Sequence, residues 1–367
     1  MSRAWHAMRR SRHAARRSWI LVALAAAGLL QGCSATAYYW QAFTGQMEVR
    51  RLSRPVEEVI AAPDTAAETR RRLEYARTAR DYASAELHLP DNRSYRVYAD
   101  LKRRYIVWNV FAAPALSLTL ETHCFPVAGC VNYRGFFSEV AAREYADELR
   151  ARGLDVYSGG VPAYSTLGWF DDPLLNTFIR YPELEVARLI FHELAHQVAY
   201  AQGDSTFNES FATAVEEEGL KRWMVAHATP EQKAQYEVFA GRRREMMALL
   251  RDTRVQLLAA YAQPGSPGSK AAAKQAVFDA LRSRYAELKA GWGGFAGYDG
   301  WLLADLNNAK LGSIATYNQD VPGFNALLRG EGGDLPRFYA RVKELAALPK
   351  EERSRRLEQL AGPVALH

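Results

Sequence analysis

The stretch Phe191-His192-Glu193-Leu194-Ala195-His196-Gln197 restricts this chain more than any other. It reads H-E-x-x-H, and it lies inside a helical pattern running from about Glu183 to Ala201. Residues four apart share one helix face, so His192 and His196 can present two imidazoles to one metal ion. Glu193 stands beside the first of them and can reach a water on that ion. Zinc suits the arrangement, because it accepts nitrogen and carboxylate ligands and can keep one position open for water. The bland alternative is two unrelated histidines on a core helix. With 8 His in 367 residues, chance seldom sets two at this spacing around a glutamate.

A third ligand must come from elsewhere. After a short loop the sequence predicts a second helix, from Glu209 to about His227. Two acids compete. Asp204 follows Gly203 in the loop, eight residues after His196, whereas Glu209 opens a helix that can lie across the first. In a turn, Asp204 would serve as an ordinary cap near Ser205 and Thr206. Glu216 lies on the same face as Glu209 and is placed to accept a hydrogen bond from a ligand histidine; otherwise it is a partly buried acid.

The pair His192-Glu193-Leu194-Ala195-His196-Gln197 and Asn208-Glu209-Ser210-Phe211-Ala212 resembles the gluzincin metallopeptidases, above all the alanyl aminopeptidases, whose pattern is HELAHQ followed by NEGFA on the next helix. Over its full length the chain is identified as a member of a family of bacterial aminopeptidase-like lipoproteins. The resemblance implies a single zinc held by His192, His196 and Glu209, with Glu193 as general base and a peptide as substrate. It also implies a substrate-binding strand about thirty residues upstream. The matching stretch is Gly160-Val161-Pro162-Ala163-Tyr164, with Ala163 where those enzymes carry the glutamate that holds the amino terminus. Asp171 or Asp172 is either a substitute or a turn before Pro173. The family's oxyanion donor is a downstream tyrosine, and Tyr317, in a loop marked by Asn and Pro, is the candidate.

The net charge of +6 does not indicate a nucleic-acid binder. Six arginines fall before residue 18 with no acid among them, so the remainder is balanced. That basic start, the apolar run Trp19 to Leu30, and Leu30-Gln31-Gly32-Cys33 read as an export signal ending in a lipobox. The run is too short for a comfortable membrane span. Cys33 would carry the lipid, and Ser34 after it suits the outer membrane, facing the periplasm of a bacterial envelope. The other two cysteines, Cys124 and Cys130, form an even pair in an exported chain and are expected to be linked.

Along the chain, a helix is expected from Asp64, as its N-cap, to about Ser84. Extended segments follow at Tyr95–Val97, Tyr105–Phe111 and Leu116–Leu120, then a helix from Phe136 to Arg152 and a strand at Leu154–Tyr157. Long helices cover Glu231–Gln263 and Lys270–Ala290, joined by a Pro-Gly-Ser linker. Arg242-Arg243-Arg244 reads as a solvated face. Two short helices, near Leu335–Leu345 and Lys350–Leu360, finish the chain.

The expected fold is α+β, predominantly α, with a zincin-like core and a helical C-terminal region. The expected division is a signal peptide at 1–32, a tether and first helix at 33–60, the catalytic core at 61–228 and helices at 229–367. The function expected is a membrane-anchored zinc peptidase. The rival is an envelope scaffold with a structural zinc, which four protein ligands would usually close.

Overall fold

The structure, a computed structural model, describes residues 38–125 and 129–362. Cys33 and the expected export signal lie outside the described residues. The chain divides into two units, Met1–Arg51 and Leu52–His367. A helix α1 covers residues 38–52, and in the first unit its Tyr39, Trp40 and Phe43 are exposed. Among the described residues no helix is long and apolar enough to cross a membrane.

The second unit is mostly helical with small mixed sheets, an α+β arrangement. It opens with β1 (Arg54–Pro55), α2 (Val56–Ala61) and α3 (Ala67–Ala85). Asp64 does not cap α3. Ala66 occupies that place without a side-chain bond, and Thr65 Oγ1 instead donates to Val59 O at 2.6 Å. The strands are β2 (Val97–Ala99), β3 (Val107–Pro114), β4 (His123–Phe125), β5 (Gly129–Val131) and β6 (Arg134–Phe136). Residues 116–120 form no strand, although they alternate in polarity. Helix α4 (Glu139–Ala151), capped by Ser138, leads to β7 (Leu154–Val161), and β8 (Leu174–Leu175) follows.

The larger sheet runs β6-β3-β7, antiparallel throughout, with β7 at an edge. A second sheet runs β1-β2-β8, β8 being parallel to β2. The hairpin β4–β5 sets Cys124 opposite Cys130, and the two are joined in a disulfide. This hairpin leans on the loop between the two helices of the histidine motif. A Cβ at Gly129 would meet Gly203 N at 2.7 Å, so only glycine permits the approach.

Those two helices are α5 (Glu183–Ala195) and α6 (Ser205–His227). Glu183 and Glu185 in the first turn suit the positive end of α5. The helix ends six residues before the apolar pattern does. Gln197 N and Val198 N reach back only three residues, to Leu194 O and Ala195 O, which tightens and closes the last turn. His196 still has helical backbone, φ −58° and ψ −23°, so the four-residue spacing to His192 survives.

Beyond α6 come α7 (Pro230–Ala262) and α8 (Pro267–Gly291), a long antiparallel hairpin. Its linker is shorter than expected. Ser266 caps α8 and Pro267 takes the first helical position, where its missing N–H costs nothing. The remaining helices are α9 (Asp299–Leu302), α10 (Asn308–Asn318), α11 (Val321–Gly330), α12 (Leu335–Ala346) and α13 (Lys350–Ala361). Leu249, Leu257, Phe278, Leu281 and Tyr285 form the core between α7 and α8. Asp155 on β7 ties this hairpin to the sheet, accepting from Lys274 Nζ at 2.6 Å and from Asn308 N at 2.8 Å.

Candidate metal centre

Helices α5 and α6 bring three ligand groups together. One atom each from His192, His196 and Glu209 lies within 4.8 Å of the others, a grouping able to hold a metal ion. Glu209 Oε2 is 3.3 Å from His192 Nε2 and 3.6 Å from His196 Nε2. The two rings stand nearly perpendicular, 4.9 Å apart. Two imidazole nitrogens and a carboxylate oxygen converging in this way match the donor set of a nitrogen- and oxygen-binding cation.

The remaining candidate ligand sits elsewhere. Asp204 caps α6, accepting from Phe207 N at 3.2 Å, and pairs with Arg353 Nε at 3.0 Å in the interior. Asn208 explains its place beside Glu209. Its amide accepts from Ala201 N at 2.7 Å and donates to Ala201 O at 2.9 Å, clamping the inter-helix loop to the first turn of α6.

Glu216 lies two turns below Glu209, almost wholly buried. Its Oε2 is 2.9 Å from His192 Nδ1, which leaves Nε2 on the Glu209 side. Arg188 donates to both Glu216 oxygens, at 2.8 and 2.7 Å, and to Glu185 at 2.8 Å. Arg243 Nη1 approaches Glu216 to 3.7 Å, and Arg242 lies over the Phe295 ring at 4.3 Å. The arginine run on α7 is therefore not simply a solvated face. Sequence reasoning missed Arg188. Its one signal was its place four residues before His192.

Burial disfavours the charge on Glu216, but Arg188 and His192 outweigh it and draw the carboxyl down to about 2. Glu209 also falls to about 2, again against burial, through both histidines. Burial opposes a charged His192, yet hydrogen bonding to Glu209 and Glu216 lifts it to about 10. Glu193 behaves differently. Burial pushes its carboxyl up, the charges of Glu209 and Glu216 add to that, and the two histidines oppose it. The cluster thus separates strongly ionised carboxylates from one whose proton is held more tightly, a pattern typical of acid–base sites.

The candidate substrate strand is only partly a strand. Gly160 and Val161 end β7, opposite Trp108 and Val107. Glycine at 160 has a packing reason, since a Cβ there would strike the Tyr105 ring at 2.2 Å. Ala163 lies past the strand and is buried; Tyr164 is half-buried and meets Phe137 edge-on. Asp171 is exposed and pairs with Arg93 at 3.3 Å. Asp172 is buried, and burial first, then the charge of Glu193, push its carboxyl up to about 6 against hydrogen bonds from Thr166 and Ser165. Beside it Tyr95 takes a left-handed backbone, φ 63°, and its buried hydroxyl has no partner among the described residues. Nothing in the sequence marked it. Tyr317 falls within helix α10, not in a loop, because the helical run from Asn308 continues to Asn318; its side chain lies outside the described residues.

The profile of a family described as "Putative aminopeptidase" matches residues 37–357. The chain belongs to this family. Membership places the chain among peptidases, and so among hydrolases that act on peptides. The matched span includes both helices of the ligand cluster. No curated protein matches the chain, and no solved structure does.

Proposed function

We propose that this chain is a zinc-dependent peptidase of the gluzincin type, aminopeptidase-like, with α5, α6 and the edge strand β7 as its zincin-like core. The observation that carries this reading is the meeting of His192, His196 and Glu209 beside a buried Glu193 of raised pKa. Zinc bound there would polarise the scissile carbonyl and bring the pKa of a water near neutrality. His192 and His196 would hold the ion through Nε2, and Glu209 would add a carboxylate oxygen. Glu216 holds the His192 Nδ1 proton, which fixes the ring's tautomer and direction. Glu193 takes the proton of the attacking water and returns it to the leaving amine. Because Ala163 carries no carboxylate, a free amino terminus finds no counterion at that position, and matched free and N-acetylated peptides would show whether one is needed.

The scaffold reading is weaker. Among the described residues only three groups converge, where a structural zinc would usually have four. The deciding variant is Glu193→Gln. Zinc content by elemental analysis should match the native protein, while hydrolysis of a peptide mixture should fall by about 10²- to 10⁴-fold. Normal turnover by a zinc-loaded variant would end the peptidase reading.

We also propose that Cys33 carries a lipid that holds the enzyme on the periplasmic side of a bacterial membrane. The lipobox-like run Leu30 to Cys33 supports it. Cys33→Ala should abolish fatty-acid labelling and free the protein from the membrane fraction; undiminished labelling would place the anchor elsewhere.

A further inference from the structure

The metal helix ends against a loop whose tip carries two aromatic side chains. Residues 162–173 leave β7 and return to β8, and Asp172 sets their shape from inside. Its Oδ2 accepts from Thr166 N at 3.0 Å, Ser165 Oγ at 3.4 Å and Gln197 Nε2 at 3.4 Å. Thr166 Oγ1 accepts from Phe170 N at 3.1 Å. Gln197 directly follows His196, so the loop is tied to the end of the metal helix. Leu167 and Gly168 both take left-handed backbone, φ 57° and 82°, and a Cβ at Gly168 would lie 3.6 Å from Gln197 Oε1. A left-handed leucine is strained, because its Cβ crowds the following carbonyl. No burial of the tip offsets this strain, since Trp169 is 72% exposed and Phe170 38%.

We propose that Trp169, with Phe170 beside it, walls the peptide-binding cleft and takes a bulky apolar side chain next to the cleaved bond. This deepens the peptidase reading and rests on it. The loop's attachment favours this occupant, because it holds the backbone of Trp169 one residue from Gly168, which lies against Gln197. The topology agrees. β7 is the edge of its sheet and runs straight into the loop, and a peptide added along such an edge sends alternate side chains to one side. Size also decides. A stable protein partner covers about 800 Å² per side, whereas one indole and a partly covered phenyl ring match a single side chain.

The test uses full-length Glu193→Gln protein loaded with zinc, so that binding is read without turnover. Calorimetric titrations would use peptides identical except at one position near the expected cleavage point, varied through Gly, Ala, Leu and Phe, with three positions scanned in turn. At one position Leu or Phe should bind about tenfold or more tighter than Gly. That advantage should shrink to about twofold in the Trp169→Ala background and return with Trp169→Phe. In enzyme with Glu193 intact, Trp169→Ala should lower kcat/KM for the Leu and Phe peptides about tenfold more than for the Gly peptide. An unchanged preference in Trp169→Ala overturns the proposal, as does the absence of peptide binding. So does a Trp169-dependent change in sedimentation, which would make the tip a contact between copies. Selective binding without hydrolysis by the native enzyme would instead defeat the peptidase reading and leave the assignment of Trp169 standing.

Discussion

Glu216 Oε2 and His192 Nδ1 lie 2.9 Å apart, joining helices α5 and α6 beneath the ligand cluster. Arg188 neutralises the same carboxylate from one turn earlier on α5. The histidine is therefore aimed by an acid that is itself held in place. Glu216→Ala should lower zinc affinity about 10- to 100-fold, measured by competition with a chromophoric chelator. An unchanged affinity would make Glu216 a buried acid that serves only Arg188.

Glu209 and Asp204 should fail in different ways. Glu209→Ala removes a proposed ligand, so zinc should no longer raise the unfolding midpoint, whereas it should do so in the native protein through binding to the folded state alone. Asp204→Ala leaves the ligands but strands Arg353, which is buried and also lies 4.9 Å from the Phe207 ring. The expected cost is about 3–5 kcal/mol in stability, with little change in zinc affinity. Denaturant unfolding with and without zinc separates the two. A larger affinity loss from Asp204→Ala would move the third ligand to the loop.

The ligand cluster could be read from the sequence because its information is local. Four-residue spacing fixes a shared helix face, and Asn208-Glu209 stands at the start of the next helix. Most helices could be read for the same reason, the short pair α12 and α13 among them. What could not be read depends on tertiary partners. Arg188 and Arg243 acquire meaning only once Glu216 is buried between them. The end of α5 was misplaced because apolar residues continue after the hydrogen bonding changes. Residues 116–120 alternate like a strand but have no strand to pair with. The position of Tyr95, in a left-handed conformation beside Asp172, follows from no pattern in the chain.

Asp320 gives a pH dependence away from the metal ligands. It precedes α11 without capping it, and it is buried. Burial is the first cause pushing its carboxyl up to about 6; the charges of Asp204 and Glu358 add to this, and Arg353 and Lys350 oppose it. In the unfolded chain the group titrates near about 4. Below that pH both states hold the proton and Asp320 contributes nothing. Between about 4 and 6 the folded state keeps a proton that the unfolded state has lost, so this group makes stability fall as pH rises. Above about 6 both states are ionised and the penalty is constant, on the order of 3 kcal/mol. Glu209 and Glu216, whose pKa values are lowered, act in the opposite sense below their ordinary value, and they cancel in the difference between variant and native protein. Asp320→Asn removes the penalty. Its stability minus that of the native protein, from urea unfolding at a series of pH values, should rise from pH 4 to 6 and then level off. A difference that does not vary with pH would mean that Asp320 ionises in the folded protein as freely as in water.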